Sequence, residues 1–218
     1  MKRGRKIGCM NKDKNVLSGG KLAGGNPKNQ RVDNDFYATN PKAVEMLLTN
    51  YTFDAGTILE PCVGAGHIAN AINNFYTNKR EITALDIVDR GYPGTIVQDF
   101  LTWETDQKFE GIITNPPYSL AQEFIEKGIS LLTDETEDTI NGKMAMFLKV
   151  QFLEGAKRKA LFEKYPPKYI YVFRNRMATW NNGSEVDPDT GKRWATTMCH
   201  AWFIWEKGNT DEPIVRWL

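Results

Sequence analysis

The chain is short of nearly everything that ligates metal or crosses a membrane. Its 218 residues include two histidines, His67 and His200, and three cysteines, Cys9, Cys62 and Cys199. An odd number of thiols at irregular spacing, with no zinc pattern, speaks against a disulfide framework and a metal centre; reduced cysteines are expected. No recognisable motif pairs a base with Cys62, so a nucleophilic thiol is not expected either. There is no apolar run long enough to span a bilayer, and the first residues lack the hydrophobic stretch of a signal peptide. A cytoplasmic protein without membrane partners is therefore expected. Hydrophobic residues make up 41% of the chain, enough for one core and too little for a second sizeable domain.

What is present concentrates at the ends of short apolar runs. Gly111-Ile112-Ile113-Thr114 leads into Asn115-Pro116-Pro117-Tyr118. Two successive prolines fix φ and offer no N–H, so the backbone there is stiff and cannot continue a ladder or a helix. The Asn115 amide and the Pro116 carbonyl can accept hydrogen bonds from a planar exocyclic amine, and the Tyr118 ring offers a face for stacking. Upstream, Thr57-Ile58-Leu59 runs into Glu60-Pro61-Cys62-Val63-Gly64-Ala65-Gly66, followed by Ile68, Ala71, Ile72 and Phe75 at helical spacing. This reads as strand, tight glycine loop and helix, although a lone Gly-x-Gly also serves as a plain turn. The third glycine of a dinucleotide fingerprint is missing and Glu60 would repel phosphate, so a cationic or zwitterionic ligand suits the loop better. Two further runs end in acids: Ile82 to Leu85 at Asp86-Ile87, placed to hold ribose hydroxyls, and Thr95 to Gln98 at Asp99-Phe100, an acceptor and an aromatic edge for an adenine.

Together these segments resemble the S-adenosylmethionine-dependent amino-methyltransferases, in particular the adenine-N6 DNA methyltransferases of the small phage type. The similarity covers most of residues 33 to 207 and is sharpest at Glu60 to Gly66 and Asn115 to Tyr118. It implies an α/β, Rossmann-like class I fold with a seven-stranded mixed sheet whose last strand is antiparallel. S-adenosyl-L-methionine is implied as cofactor, held by Phe36, Tyr37, Thr39, Glu60, Pro61, Gly64, Gly66, Asp86, Ile87, Asp99, Phe100 and Asn115. Asn40 stands between Thr39 and Pro41, where the family more often has Thr-Pro. Asn115, Pro116, Pro117 and Tyr118 form the implied catalytic motif, and no metal is implied. On the substrate side, Lys149, Phe152, Arg174 and Trp180 are expected beside Tyr118. The implied substrate is DNA, with RNA adenine and the glutamine amide of a protein as the alternatives; a non-enzymatic nucleic-acid-binding protein is disfavoured because every residue of the motif is present.

The formal net charge is only +1, but it is unevenly spread. Residues 1–32 hold nine Lys or Arg against one acid, Asp13, so the remainder is net acidic. Rich in Gly, Asn and Lys, this segment reads as a flexible arm ahead of a catalytic domain over 33–218. It is either a solubilising tail or an arm that contacts nucleic-acid phosphates. Little room is left for a dedicated recognition domain, and none is expected within these residues. The polar stretch 174–200, with turn signals at Asn181-Asn182-Gly183 and Asp187-Pro188-Asp189-Thr190-Gly191, is either a plain hairpin loop or a small target-recognition loop. So small a reader suits a short target, or specificity supplied by a partner subunit or a second copy.

Overall fold

The structure, a computed structural model, describes residues 37–53, 55–136 and 141–218. The basic arm over 1–32 and Phe36 lie outside the described residues. A two-residue strand β1 (Tyr37–Ala38) precedes helix α1 (Pro41–Asn50). Asn40 accounts for the start of that helix: its side chain accepts a hydrogen bond from the Lys42 N–H at 3.0 Å, and Pro41 supplies the preset φ of the first turn. Strand β2 (Thr57–Glu60) then leads through the glycine loop into α2 (His67–Phe75). The chain continues through β3 (Glu81–Asp86), β4 (Ile96–Val97) and β5 (Gly111–Thr114). After Pro116 and Pro117, a single 3-10 turn at Tyr118–Leu120 opens α3 (Ala121–Leu131). The remaining elements are β6 (Lys143–Lys149), α4 (Ala156–Lys164), β7 (Tyr169–Val172), β8 (Trp180–Asn181), β9 (His200–Glu206) and β10 (Ile214–Trp217).

Eight strands form one sheet in the order β10-β7-β9-β6-β5-β2-β3-β4, with β9 antiparallel to both β6 and β7 and every other pairing parallel. The seven strands expected are all there, including the antiparallel one. It is not the last, however, because β10 returns parallel to β7 at the edge. Its four residues are all exposed, so the run carries no alternation by which a half-buried strand would be recognised. The Thr95–Gln98 run is shorter than expected, since only Ile96 and Val97 pair, with Leu85 and Asp86.

Period-two alternation builds a layer on each face of the sheet. Ile58, Ile113, Trp202 and Ile204 pack with Val44 and Leu47 of α1 and Ile68 and Ile72 of α2. Their sequence neighbours Leu59, Ile112, Phe203 and Trp205 face the other way, onto Phe124 and Ile125 of α3 and Leu161 of α4. Strands buried on both faces explain the nearly continuous apolar runs. The Trp202 indole N–H donates to the Ala43 carbonyl at 2.9 Å, tying the antiparallel strand to the first turn of α1. Among the described residues, no helix is long and apolar enough to cross a membrane.

His200 opens β9 and is buried, its ring stacked 4.8 Å from that of Phe147 and its Nδ1 2.9 Å from the Met177 carbonyl. Facing an acceptor, Nδ1 carries the proton. Burial first, and then the nearby Lys149 ammonium, lower its pKa from 6.5 to about 4, against the opposing pull of the Met177 carbonyl. Above pH 6.5 neither state is charged, whereas below it the unfolded chain takes up a proton that the folded chain refuses. Stability measured by urea unfolding should therefore fall by about 3 kcal/mol between pH 6.5 and 4 on account of this residue. In His200→Gln that part of the acid loss should disappear.

Candidate active site

In an open parallel sheet, ligands sit at the carboxyl ends of strands where the order reverses. Here that point lies at β2, flanked by β3 on one side and β5 on the other, and a cavity of about 300 Å³ opens there. Gly64, at φ 54°, is the pivot of the first loop: its N–H donates to Asp86 Oδ2 at 2.8 Å, while the Val88 N–H donates to Oδ1 at 3.0 Å. One carboxylate thus fastens the loop after β2 to the loop after β3. Gly66, at φ 83°, ends the turn and caps α2; a Cβ there would fall 2.1 Å from the Tyr92 ring. It shapes the turn without lining the cavity.

The residues singled out in the sequence largely meet at this cavity. Glu60, Pro61 and Gly64 come from the first loop, and Asp86 and Ile87 from the end of β3. Asp99 and Phe100 line it beyond β4, Tyr37 and Thr39 beside β1, and Asn115 to Tyr118 after β5. Asp99 Oδ1 accepts from the Leu101 N–H at 2.9 Å, which leaves Phe100 buried against Phe124 with ring centres 4.9 Å apart. Asn115 Nδ2 donates to the Tyr37 carbonyl at 3.0 Å. That contact fixes the amide's orientation and leaves Oδ1 as its acceptor.

Of the four residues expected beside Tyr118 none lines the cavity itself: Phe152 and Arg174 are turned to other contacts, whereas Lys149 and Trp180 stand next to its wall. Phe152 is a core residue, edge-on to Phe162 and Phe203, because the short 3-10 turn after β6 folds it inward beneath Arg158. Arg174 is occupied structurally, with both its backbone N–H and Nε donating to the Leu218 carbonyl. Lys149 stands next to the cavity, its Nζ 4.9 Å from the centre of the Tyr118 ring. Trp180 lies in β8, paired with Ala38, and its ring meets that of His67 edge-on at 5.6 Å. The stretch 174–200 is thus more than a surface loop, since one of its strands pairs with a cavity-lining segment.

His67, Cys62 and Arg90 line the cavity but were not singled out as site residues. His67 had a signal, since it is the first helical residue after the glycine loop; Arg90, in a loop beyond β3, had none. Burial, and next the Asp86 charge, push the Cys62 thiol far up, so it stays protonated.

The cavity is rich in acceptors. Glu60 is wholly buried, and its pKa is raised well above the ordinary carboxylate value by burial and, less, by Asp86, against a backbone hydrogen bond from Ala69. Its Oε2 has no hydrogen-bond partner, and neither does the buried Thr39 Oγ1. Such orphaned atoms cost stability unless a ligand donates to them. The Asp86 and Asp99 carboxylates, with the buried Glu60 carboxyl beside them, fit a ligand with a cationic group and hydroxyl donors, as S-adenosylmethionine has, and disfavour a polyphosphate.

Similarity to solved structures identifies the architecture. A modification subunit named for a type I restriction enzyme from Vibrio vulnificus YJ016 superposes with a TM-score of 0.58 at 13% identity, over 84% of this chain and 46% of that one. An S-adenosylmethionine-dependent O-methyltransferase from Thermotoga maritima gives 0.54 at 13% identity, over 81% and 69%. The fold is that of the class I methyltransferases. No family model matches the sequence. A type II methyltransferase, M.CvrRI, of Paramecium bursaria Chlorella virus XZ-6E is 35% identical over 101 residues, which is 42% of this chain and 26% of that protein. The chain thus spans about a quarter of the length of its viral relative.

Glu60 costs the fold stability as pH rises. Unfolded, it ionises near the ordinary glutamate value; folded, it holds its proton to higher pH, so it destabilises the fold increasingly as pH rises between the two. Glu60→Gln should accordingly unfold at a higher temperature than the native chain at pH 8, while binding S-adenosylmethionine at least about tenfold more weakly by calorimetry.

Proposed function

We propose that the chain transfers the methyl group of S-adenosylmethionine to the exocyclic N6 amine of adenine in DNA. The observation that carries this reading is the Asn115 amide, held through Nδ2 by the Tyr37 carbonyl beside the rigid Pro116-Pro117 backbone and the Tyr118 ring. When bound, S-adenosylmethionine supplies an electrophilic sulfonium methyl. An adenine amine is a weak nucleophile because its lone pair is delocalised into the ring. Asn115 Oδ1 and the Pro116 carbonyl accept its two hydrogens, hold the nitrogen in line and stabilise the positive charge that develops on it. The surplus proton leaves to solvent, so no strong general base is required.

An adenine in a duplex reaches this site only by flipping out of the stack, at a cost of a few kcal/mol, roughly, offset by stacking on Tyr118. Lys149, beside that ring, brings a positive charge that suits the phosphate of a nucleotide, whereas the neutral glutamine amide of a protein has no use for it. The type II methyltransferase among the relatives, and the restriction-enzyme modification subunit among the structural neighbours, also favour DNA. The latter is itself one part of an assembly, which favours specificity supplied by a partner subunit or a second copy. The arm over 1–32 adds phosphate affinity without sequence preference. The bacterial or phage-infected cytoplasm is where such a substrate lies.

Incubation with S-adenosylmethionine and duplex DNA, single-stranded DNA or RNA, followed by mass spectrometry of the nucleosides, should yield N6-methyladenine from DNA. Methylation confined to RNA, or absent from every polymer, would reject DNA as substrate. Asn115→Ala should lower kcat by about a hundredfold or more and cofactor affinity by less than about tenfold. Unaltered turnover would refute the role given to Asn115.

A further inference from the structure

The two-residue ladder between β1 and β8 (Tyr37 opposite Asn181, Ala38 opposite Trp180) is too short to persist by itself. Side chains from the cavity wall hold it at both sides. On the β1 side, Asn115 Nδ2 donates to the Tyr37 carbonyl. On the β8 side, His67 Nε2 lies 3.1 Å from the Gly183 carbonyl, and the His67 ring stands edge-on to Trp180, 87° between planes. Facing a carbonyl, Nε2 is the protonated nitrogen and donates. Gly183, at φ 76°, follows Asn182, at φ 49°, in the turn that closes β8, so this bond anchors the whole bend.

Ala38, Thr39, His67 and Asn115 all line the cavity, and the buried Thr39 Oγ1 awaits a donor or acceptor there. A ligand that fills the cavity therefore touches β1 directly and packs against His67, whose Nε2 and ring hold β8. It favours the state in which the ladder is formed over the state in which it has opened, which is the differential affinity any coupling requires. Because Asn115 is oriented by Tyr37, the same ladder also sets the amide that receives the amine.

Resting on the cofactor reading above, we propose that His67 is a positioning residue that couples cofactor occupancy to the target-side segment 178–186, so that the loop is ordered, and Asn115 aligned, when the cavity is filled. Linkage makes the effect reciprocal: nucleic acid held by the loop strengthens cofactor binding by the same factor.

The test is amide hydrogen exchange on the full chain, with and without saturating S-adenosylhomocysteine, whose binding is measured separately by calorimetry. Exchange over 178–186 should slow by about fivefold or more in the native chain. The protection should persist in His67→Gln, whose amide can still donate to Gly183, and vanish in His67→Leu. Binding without protection in the native chain would overturn the proposal, as would full protection in His67→Leu. Failure of S-adenosylhomocysteine to bind the native chain at all would overturn the cofactor reading, and the coupling with it. Should His67→Leu fail to fold, the native chain and His67→Gln decide.

Discussion

The site depends on one carboxylate. Asp86 accepts the N–H of Gly64 through one oxygen and that of Val88 through the other, joining the loop after β2 to the loop after β3 beside the backbone bond from the Val63 N–H to the Leu85 carbonyl. Backbone N–H groups so placed would otherwise be left to solvent, and a charged acceptor makes the stronger kind of hydrogen bond. With those loops joined, Glu60 is trapped beneath them, Gly66 can enter α2 at positive φ, and the floor of the cavity is set. Burial first, and then the neighbouring Asp86 charge, raise the proton affinity of Glu60, and the acids around that floor leave the cavity best suited to a cation.

A second constraint works from the opposite wall. The prolines after β5 stop the ladder and hand the chain to a single tight turn, so Asn115 and Tyr118 project at the carboxyl end of the sheet instead of continuing into it. Asn115 then reaches across to β1, and β1 to β8. Fold and chemistry thereby share the same hydrogen bonds: the amide proposed to receive the substrate amine also holds β1 at the cavity wall.

Much of this was legible in the sequence because local physics dominated. The apolar spacing of Ile68, Ala71 and Ile72 in α2, the run Ile58-Leu59 and the double proline each specify a conformation by themselves, and the acids ending β2 and β3 are marked by the apolar runs that precede them. Three things were hidden. Strand β10 exposes every residue, so nothing in its pattern marks a buried face. Phe152 reads as a pocket aromatic but is turned into the core by the 3-10 turn after β6, a local bend that apolar spacing does not encode. The pairing of Ala38 with Trp180 spans a sequence separation that no short-range pattern reports. That pairing turns a polar loop into part of the cavity's support.

Whether this cavity, closed by Asp86, holds S-adenosylmethionine is decided by calorimetric titration of the full chain. One site per chain is expected, with Kd in the range where enzymes commonly hold their substrates, roughly 1 μM to 1 mM, and loss of that binding in Asp86→Ala. No binding by the native chain, or undiminished binding by the variant, would rule out a cofactor site held by Asp86.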